Sequence, residues 1–543
     1  MAMASPRLPL TTTPELLAPA RGYAARFAAY ALVGTFIGVL VAGIERAAEL
    51  GLLERVLHAP FAWQIAAPGI GLVVAALVLN WVGGGLSPST SDEYVRAFHS
   101  DNPVLPLHAL PVRILAGIAT VGLGGTAGLE GPSIYTGATI ASNASTGPLR
   151  RLLGDDATRS LLAAGAAAGV AAIFKAPATG VLFALEAPYR NDVARRSLVP
   201  ALVASATSYL TFAAIAGNER LFAIGPSTQS LSLRAEVGGA LALGLLAGLG
   251  ARVFAQWIHA AKDAGKHVTL AVRLPVAVVG MGVAVALAHQ IGGTELVLGP
   301  SGAPVVDWAL DPSRGLGLIA ALFVVRMAAV GLTLGGGGVG GVFIPLALQG
   351  VLLGRLVAGA VGTEAIALYT IVGLAAFLGA GYRTPLAAVM FVAESTGRAD
   401  FVVPALLATA VSQALMGPVS IASYQQDMRR GHLEQRMLLP VTAAMDTGIP
   451  TVDVDTSVAD LVNSVGYRAP AHALPVVDGD GRYLGLCRLV DAAQAMYDHG
   501  PDATVKVFVR EDPAVDADAQ LRTAIEVLAR HELDTVAVTD AGG

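Results

Sequence analysis

Ala167–Glu186 reads AAGVAAIFKAPATGVLFALE, and Ala375–Glu394 reads AAFLGAGYRTPLAAVMFVAE. Aligned without gaps at an offset of 208, seven of the twenty positions are identical, and Phe174/Tyr382 and Lys175/Arg383 are conservative exchanges. A second pair lies upstream: GGTAGLEGP at 124–132 and GGGVGGVFIP at 336–345, offset by 213 at the proline. Two Gly-rich segments ending in proline, each followed in the same order by a similar Pro-containing apolar segment, point to a body of two related halves. That internal symmetry is a mark of transport folds, which place their substrate near the midplane where interrupted helices meet.

The surrounding composition agrees. Of 543 residues, 54% are hydrophobic and only 14% charged, against about 25% charged in soluble domains. Apolar segments follow one another at about 27–44, 62–82, 107–127, 160–186, 197–216, 236–256, 269–291, 316–334, 342–360, 364–395 and 401–416. Several approach the ~20 residues that span ~30 Å of hydrocarbon as a helix. Others are interrupted by Gly and Pro, which predicts broken or re-entrant helices. The chain reads as an α-helical integral membrane protein, and a single cysteine, Cys487, excludes a disulfide-built domain.

Charge divides the chain. From Val441 to Gly543 there are 17 Asp or Glu against 7 Lys or Arg, a net of −10, which leaves +5 for Met1–Pro440. The expected organisation is an N-terminal cytoplasmic segment (1–26), without the early apolar core of a signal peptide, then a membrane body (27–430) and a soluble acidic tail (431–543). The two halves of the body run over about 27–216 and 236–424. Arg429-Arg430, at the junction, place the tail in the cytoplasm.

A helix that begins inside a bilayer leaves four amide N–H groups unpaired, and its positive dipole end favours an anion. Gly83–Leu86, Gly128–Pro132 and Gly340–Pro345 are three candidate starts of this kind. They predict an anion pathway lined by neutral amides, strong enough to attract and weak enough to release. Glu130 lies inside one of them. A carboxylate at bilayer depth is costly and by default functional, and its anionic form can occupy the site that a permeant anion uses.

These residues carry a strong resemblance to the CLC family of chloride channels and chloride/proton exchangers. The family's GxEGP segment is Gly128-Leu129-Glu130-Gly131-Pro132, its GxFxP segment is Gly341-Val342-Phe343-Ile344-Pro345, and its LLAxGAAAGxAAxFxAPxxGxLFxxE stretch runs from Leu161 to Glu186. The match covers roughly Arg26 to Arg430. The resemblance implies an inverted-repeat fold of many tilted and broken helices, and a homodimer with one chloride pore in each subunit. It further implies that Glu130 is the gating glutamate, that Val342 and Phe343 amides coordinate the anion beside Gly128 and Gly131, and that Tyr424, in SIASYQQDM, closes the inner end.

Three departures bear on transport mode. The family's GSGIP anion segment is Gly83-Gly84-Gly85-Leu86-Ser87, so Gly84 replaces its serine hydroxyl; Ser87 or Ser89 are possible substitutes. The inner proton-loading glutamate of the exchangers aligns with Ala187, which cannot relay a proton. The usual arginine of GREGP is Leu129. Gly84 bears on anion selectivity and Leu129 on gating, while the carboxylate missing at Ala187 favours a passive chloride channel over the alternative, a chloride/proton antiporter with another inner proton route.

The tail resembles a pair of CBS modules, Leu439–Met496 and Val505–Gly543, the second stopping before its closing strand and helix. Arg488 stands where a nucleotide-binding hydroxyl is expected and only Asp491 of that pair remains, so the tail reads as structural or dimerising and not as a nucleotide site. The ten histidines show no metal-ligand spacing, GxSxG is absent, and the run at 335–341 lacks the Lys-Ser/Thr of a phosphate loop. No enzyme, cofactor, metal or nucleic-acid partner is therefore expected. The expected partners are chloride or a related anion, a second copy of the chain and the bilayer, in a bacterial plasma membrane with both termini cytoplasmic.

Overall fold

The computed structural model describes residues 13–147, 149–153, 157–222, 224–225, 233–428, 436–465 and 473–540; Arg429-Arg430 and Gly543 lie outside them. The chain divides into two compact units, Met1–Arg429 and Arg430–Gly543.

The first unit is helical. Its first half holds α1 (Thr13–Glu45), which runs through a π-helical stretch (Arg46–Leu53) into α2 (Glu54–Leu57), then α3 (Phe61–Leu77) and α4 (Ser91–His99). It continues with α5 (Ala109–Gly122), α6 (Glu130–Thr146), α7 (Arg150–Leu153), α8 (Thr158–Phe174), α9 (Pro177–Glu186) and α10 (Leu198–Ala216). The second half comprises α11 (Leu233–His267), α12 (Leu270–Ile291), α13 (Gly302–Leu310), α14 (Leu316–Gly335), α15 (Phe343–Val361), α16 (Ile366–Tyr382), α17 (Pro385–Thr396) and α18 (Val402–Met416). Among the described residues seven helical runs are long and apolar enough to cross a bilayer. The protein is a membrane protein.

The long segments at 160–186 and 364–395 are broken at matching places. Lys175 ends α8 and Arg383 ends α16, both in the left-handed region with φ of 53° and 57°. Each is followed two residues later by a proline that opens the next helix, where its missing N–H costs nothing. The repeated stretch is thus one element, helix–break–helix, used twice.

Contacts between the halves are reciprocal. The Thr126 amide donates to Thr333 Oγ1 (3.1 Å), and the Val339 amide to Thr120 Oγ1 (3.0 Å). Gly128 and Gly341 exchange backbone hydrogen bonds of 2.9 and 2.7 Å. The 213-residue offset relates Thr120 to Thr333, Thr126 to Val339 and Gly128 to Gly341, so each bond is the counterpart of another, which is what a two-fold relation between equivalent elements produces. Glycines let the partner helices touch: a Cβ on Gly165 would lie 2.1 Å from the Gly137 carbonyl oxygen, and one on Gly373 would lie 2.4 Å from that of Gly350. The α6/α8 and α15/α16 pairs therefore pack backbone to backbone, the usual solution for helices in lipid.

The second unit contains a three-stranded sheet, order β1 (Val452–Asp453), β2 (Ala473–Val477), β3 (Tyr483–Arg488), with α19 (Val458–Val465) and α20 (Leu489–His499). β1 and β2 are parallel, β2 and β3 antiparallel around the Asp478 turn, in which Gly481 takes φ +82°. A smaller piece follows: β4 (Ala514–Asp516) and β5 (Ala537–Thr539) are parallel, with α21 (Leu521–Arg530) between them. Val452, Leu474, Val476 and Cys487 form the buried centre of the first piece.

Candidate anion site

α6 begins at Glu130 and α15 at Phe343. The Gly128–Gly341 backbone bridge holds these two starts together, and the Glu130 carboxylate lies between them, 1% exposed. Its Oε1 accepts the Phe343 amide at 2.6 Å and the Ile344 amide at 3.3 Å. The carboxylate oxygen thus occupies the unpaired amides of α15, where an anion's charge is best stabilised. Oε2 has no hydrogen-bond partner among the described residues. Cβ atoms on Gly128 or Gly341 would fall 1.7 Å from Glu130 Oε2 and 2.3 Å from its Cδ. The carboxylate therefore fits only because both motifs place glycine against it.

Phe343 sits in an aromatic box. Ring centroids of Phe174, Phe183, Phe391 and Tyr382 lie 4.5, 5.6, 5.1 and 6.0 Å from its own. The four are two pairs related by the 208-residue repeat, Phe174 with Tyr382 and Phe183 with Phe391. Only one member carries a hydroxyl, so Tyr382 breaks the symmetry of the box.

On one side the site opens into a cavity of about 430 Å³, whose walls include Gly85, Leu86, Thr90, Val342 and Tyr382, with Tyr424 also lining it. Thr90 is 3% exposed and its hydroxyl makes no bond to cap α4. A Cβ on Gly131 would lie 2.5 Å from that hydroxyl. Buried hydroxyls of Thr90 and Tyr382 thus flank the cavity's inner end.

The expected site residues distribute as follows. Glu130, Gly128, Gly131, Val342 and Phe343 come together at the two helix starts, and the carboxylate is received by the Phe343 and Ile344 amides. Gly83–Leu86 is corrected: no helix begins there. A π-helical turn (Val78–Val82) ends at Gly83, Gly84 and Gly85 take φ of 63° and 89°, and α4 starts only at Ser91. Gly84 is exposed and does not line the cavity, although Gly85 and Leu86 do. Tyr424 lies at the cavity with a side chain that is 59% exposed, whereas Tyr382 is 3% exposed against Phe343. Ala187 is buried, and its carbonyl accepts the Gln425 side-chain amide at 2.8 Å. Asp491 lies in the first turn of α20, in the other unit. Thr90 and Tyr382 escaped the sequence reading; the only signal for Tyr382 was its pairing with Phe174 in the repeat.

Comparison with known proteins bears on all of this. Residues 70–417 match the family model described as voltage gated chloride channel, and residues 441–498 match the CBS domain. Solved structures share the fold. A slow cyanobacterial Cl⁻/H⁺ antiporter superposes with TM-score 0.62 at 21% identity, covering 72% of this chain and 94% of its own. A CLC-type fluoride/proton antiporter gives 0.59 at 23%, covering 77% and 100%, and a eukaryotic CLC transporter gives 0.61 at 18%, covering 96% of each chain. The chain belongs to the voltage gated chloride channel (CLC) family of anion channels and transporters, with a CBS domain in its C-terminal unit.

Proposed function

We propose that the protein is a chloride channel, a homodimer with one pathway in each subunit, in which Glu130 is the gate. One observation carries this reading: Glu130 Oε1 accepts the Phe343 and Ile344 amides that a permeant anion needs. Protonation or displacement of the carboxylate frees those donors, and an anion then passes between them and the hydroxyls of Thr90 and Tyr382. Val342, at the end of the cavity, completes the backbone lining. Passive movement follows from Ala187, which offers no carboxylate to load protons from the cavity side. In this reading the membrane is the bacterial plasma membrane with both termini cytoplasmic, and the C-terminal unit dimerises without nucleotide or other cofactor.

The second reading is chloride/proton exchange, and Tyr382 is the observation in its favour. Tyr382 lines the cavity and its ring packs on Phe343, whose amide Glu130 accepts, so in this reading its hydroxyl passes a proton toward the carboxylate. Reconstitution in liposomes with an imposed chloride gradient separates the two. A channel dissipates the gradient without moving protons uphill; coupled uphill proton movement refutes the channel reading. In Glu130→Gln the pathway is expected to stay open and lose its pH dependence.

A further inference from the structure

The cavity wall contains an ion pair that no sequence motif announced. Asp92, in the first turn of α4, is 8% exposed, and its Oδ2 lies 2.8 Å from Lys262 Nζ on α11. Its Oδ1 accepts the Ser423 amide at 2.9 Å, and Ser89 Oγ approaches Oδ2 at 3.4 Å. One carboxylate thus ties together α4, α11 and the segment after α18. That segment carries Tyr424, a non-glycine residue at φ +66°. The Lys262 ammonium has three donors and gives one to Asp92, with the others available toward the space it lines. Arg273 also lines the cavity and gives one N–H to the Gly335 carbonyl at 3.1 Å, so it adds its charge to the positive potential against which the Lys262 variants are read. Glu93 and Asp263 are the other carboxylates on the wall.

We infer that Lys262 is the residue that captures anions in the cavity, and that Asp92 keeps the capture weak by half-neutralising it. This rests on the anion-pathway reading above. A cation in a narrow low-dielectric cleft concentrates counter-ions. Left unpaired, it would also retain them, and conduction requires release. The Asp92 carboxylate sets that balance and fixes the wall in which it acts.

The test measures initial chloride efflux from liposomes over a range of chloride concentrations. In Lys262→Met the half-saturating chloride rises about tenfold while the rate at saturating chloride is kept, and Lys262→Arg restores the parent value. In Asp92→Asn the half-saturating chloride falls and the maximal rate falls with it. Added gluconate shrinks the difference between parent and Lys262→Met by screening. A purely structural tie predicts that both variants move the same way, with loss of flux, and that outcome overturns the inference. An unchanged half-saturating chloride in a folded Lys262→Met also overturns it, with Lys262→Gln serving if the methionine variant does not fold. If the parent protein passes no anion, the pathway reading itself fails and the inference with it.

Discussion

Glu186 and Glu394 cap each other's half of the protein. Glu186 accepts the Leu386 and Ala387 amides at 3.1 and 2.9 Å, at the start of α17, and Glu394 accepts the Ala178 and Thr179 amides at 2.9 and 2.7 Å, at the start of α9. Each carboxylate lies in the last turn of one helix, Glu186 in α9 and Glu394 in α17, and satisfies the first turn of the other. The identical glutamates that close the repeated stretch are thus explained as mutual caps, which meet the helix-start donors with an opposite charge.

Replacing either cap should be costly. Hydrogen bonds to a charged acceptor contribute roughly 1.5–3 kcal/mol, and the loss leaves two helix-start amides without that partner. Glu186→Ala and Glu394→Ala are each expected to lower the thermal unfolding midpoint in detergent by several degrees. Glu394 also accepts the Thr179 hydroxyl at 2.7 Å, while the repeat-related position holds Ala387. Its removal should have the larger effect, and equal midpoints for parent and variants would remove the caps from the account.

The two kinds of glycine in this membrane body should respond oppositely to alanine. Gly165 has no space for a methyl beside the Gly137 carbonyl, whereas nothing lies within 4 Å of a Cβ on Gly43. Gly165→Ala should destabilise by about 1–3 kcal/mol, and Gly43→Ala, in the last turn of α1 where the helix runs on into the π-helical stretch, should be neutral or stabilising by up to about 1 kcal/mol. Thermal unfolding of the two variants side by side checks the sign.

Selectivity should follow the hydroxyls at the cavity's end and not the position suggested by the motif. Gly84→Ser adds a hydroxyl outside the cavity wall, so the chloride/nitrate permeability ratio should stay at the parent value. Thr90→Val removes a hydroxyl beside Gly131 at almost constant volume, and the ratio should drop several-fold. Reversal potentials under mixed-anion conditions measure both, and a shift in Gly84→Ser with none in Thr90→Val would reverse the assignment.

The single cysteine offers an independent check on the C-terminal unit. Burial within the β2/β3 layer pushes the Cys487 thiol up to about 11. Since the thiolate is the reactive form, labelling by a maleimide at neutral pH should be slow in the folded protein and fast after denaturant exposes the side chain. Rapid stoichiometric labelling without denaturant would contradict the packing of this unit.

Much of the architecture was legible because repetition leaves a record in the chain. The 208- and 213-residue offsets foretold the helix–break–helix elements and the paired Gly-rich starts, and apolar length foretold the spans. The motif around Gly83 misled. Three glycines ahead of a polar helix resemble a helix start, but two of them adopt left-handed dihedrals after a π-helical turn, and four residues still separate Leu86 from the α4 start at Ser91. Only backbone geometry distinguishes those cases.

By itself the sequence determined that this is a two-half membrane protein of a recognisable family, with Glu130 in a glycine frame and an alanine at position 187. These are local facts, written in residue types and spacing. Which hydroxyls meet the anion was decided by tertiary structure. Tyr382 reaches Phe343 from the far end of the neighbouring helix, Thr90 reaches Gly131 from the start of α4, and Lys262 meets Asp92 from 170 residues away. Their roles arise from contacts between distant segments, and no local pattern encodes which of many hydroxyls and charges the folded chain will bring to one cavity.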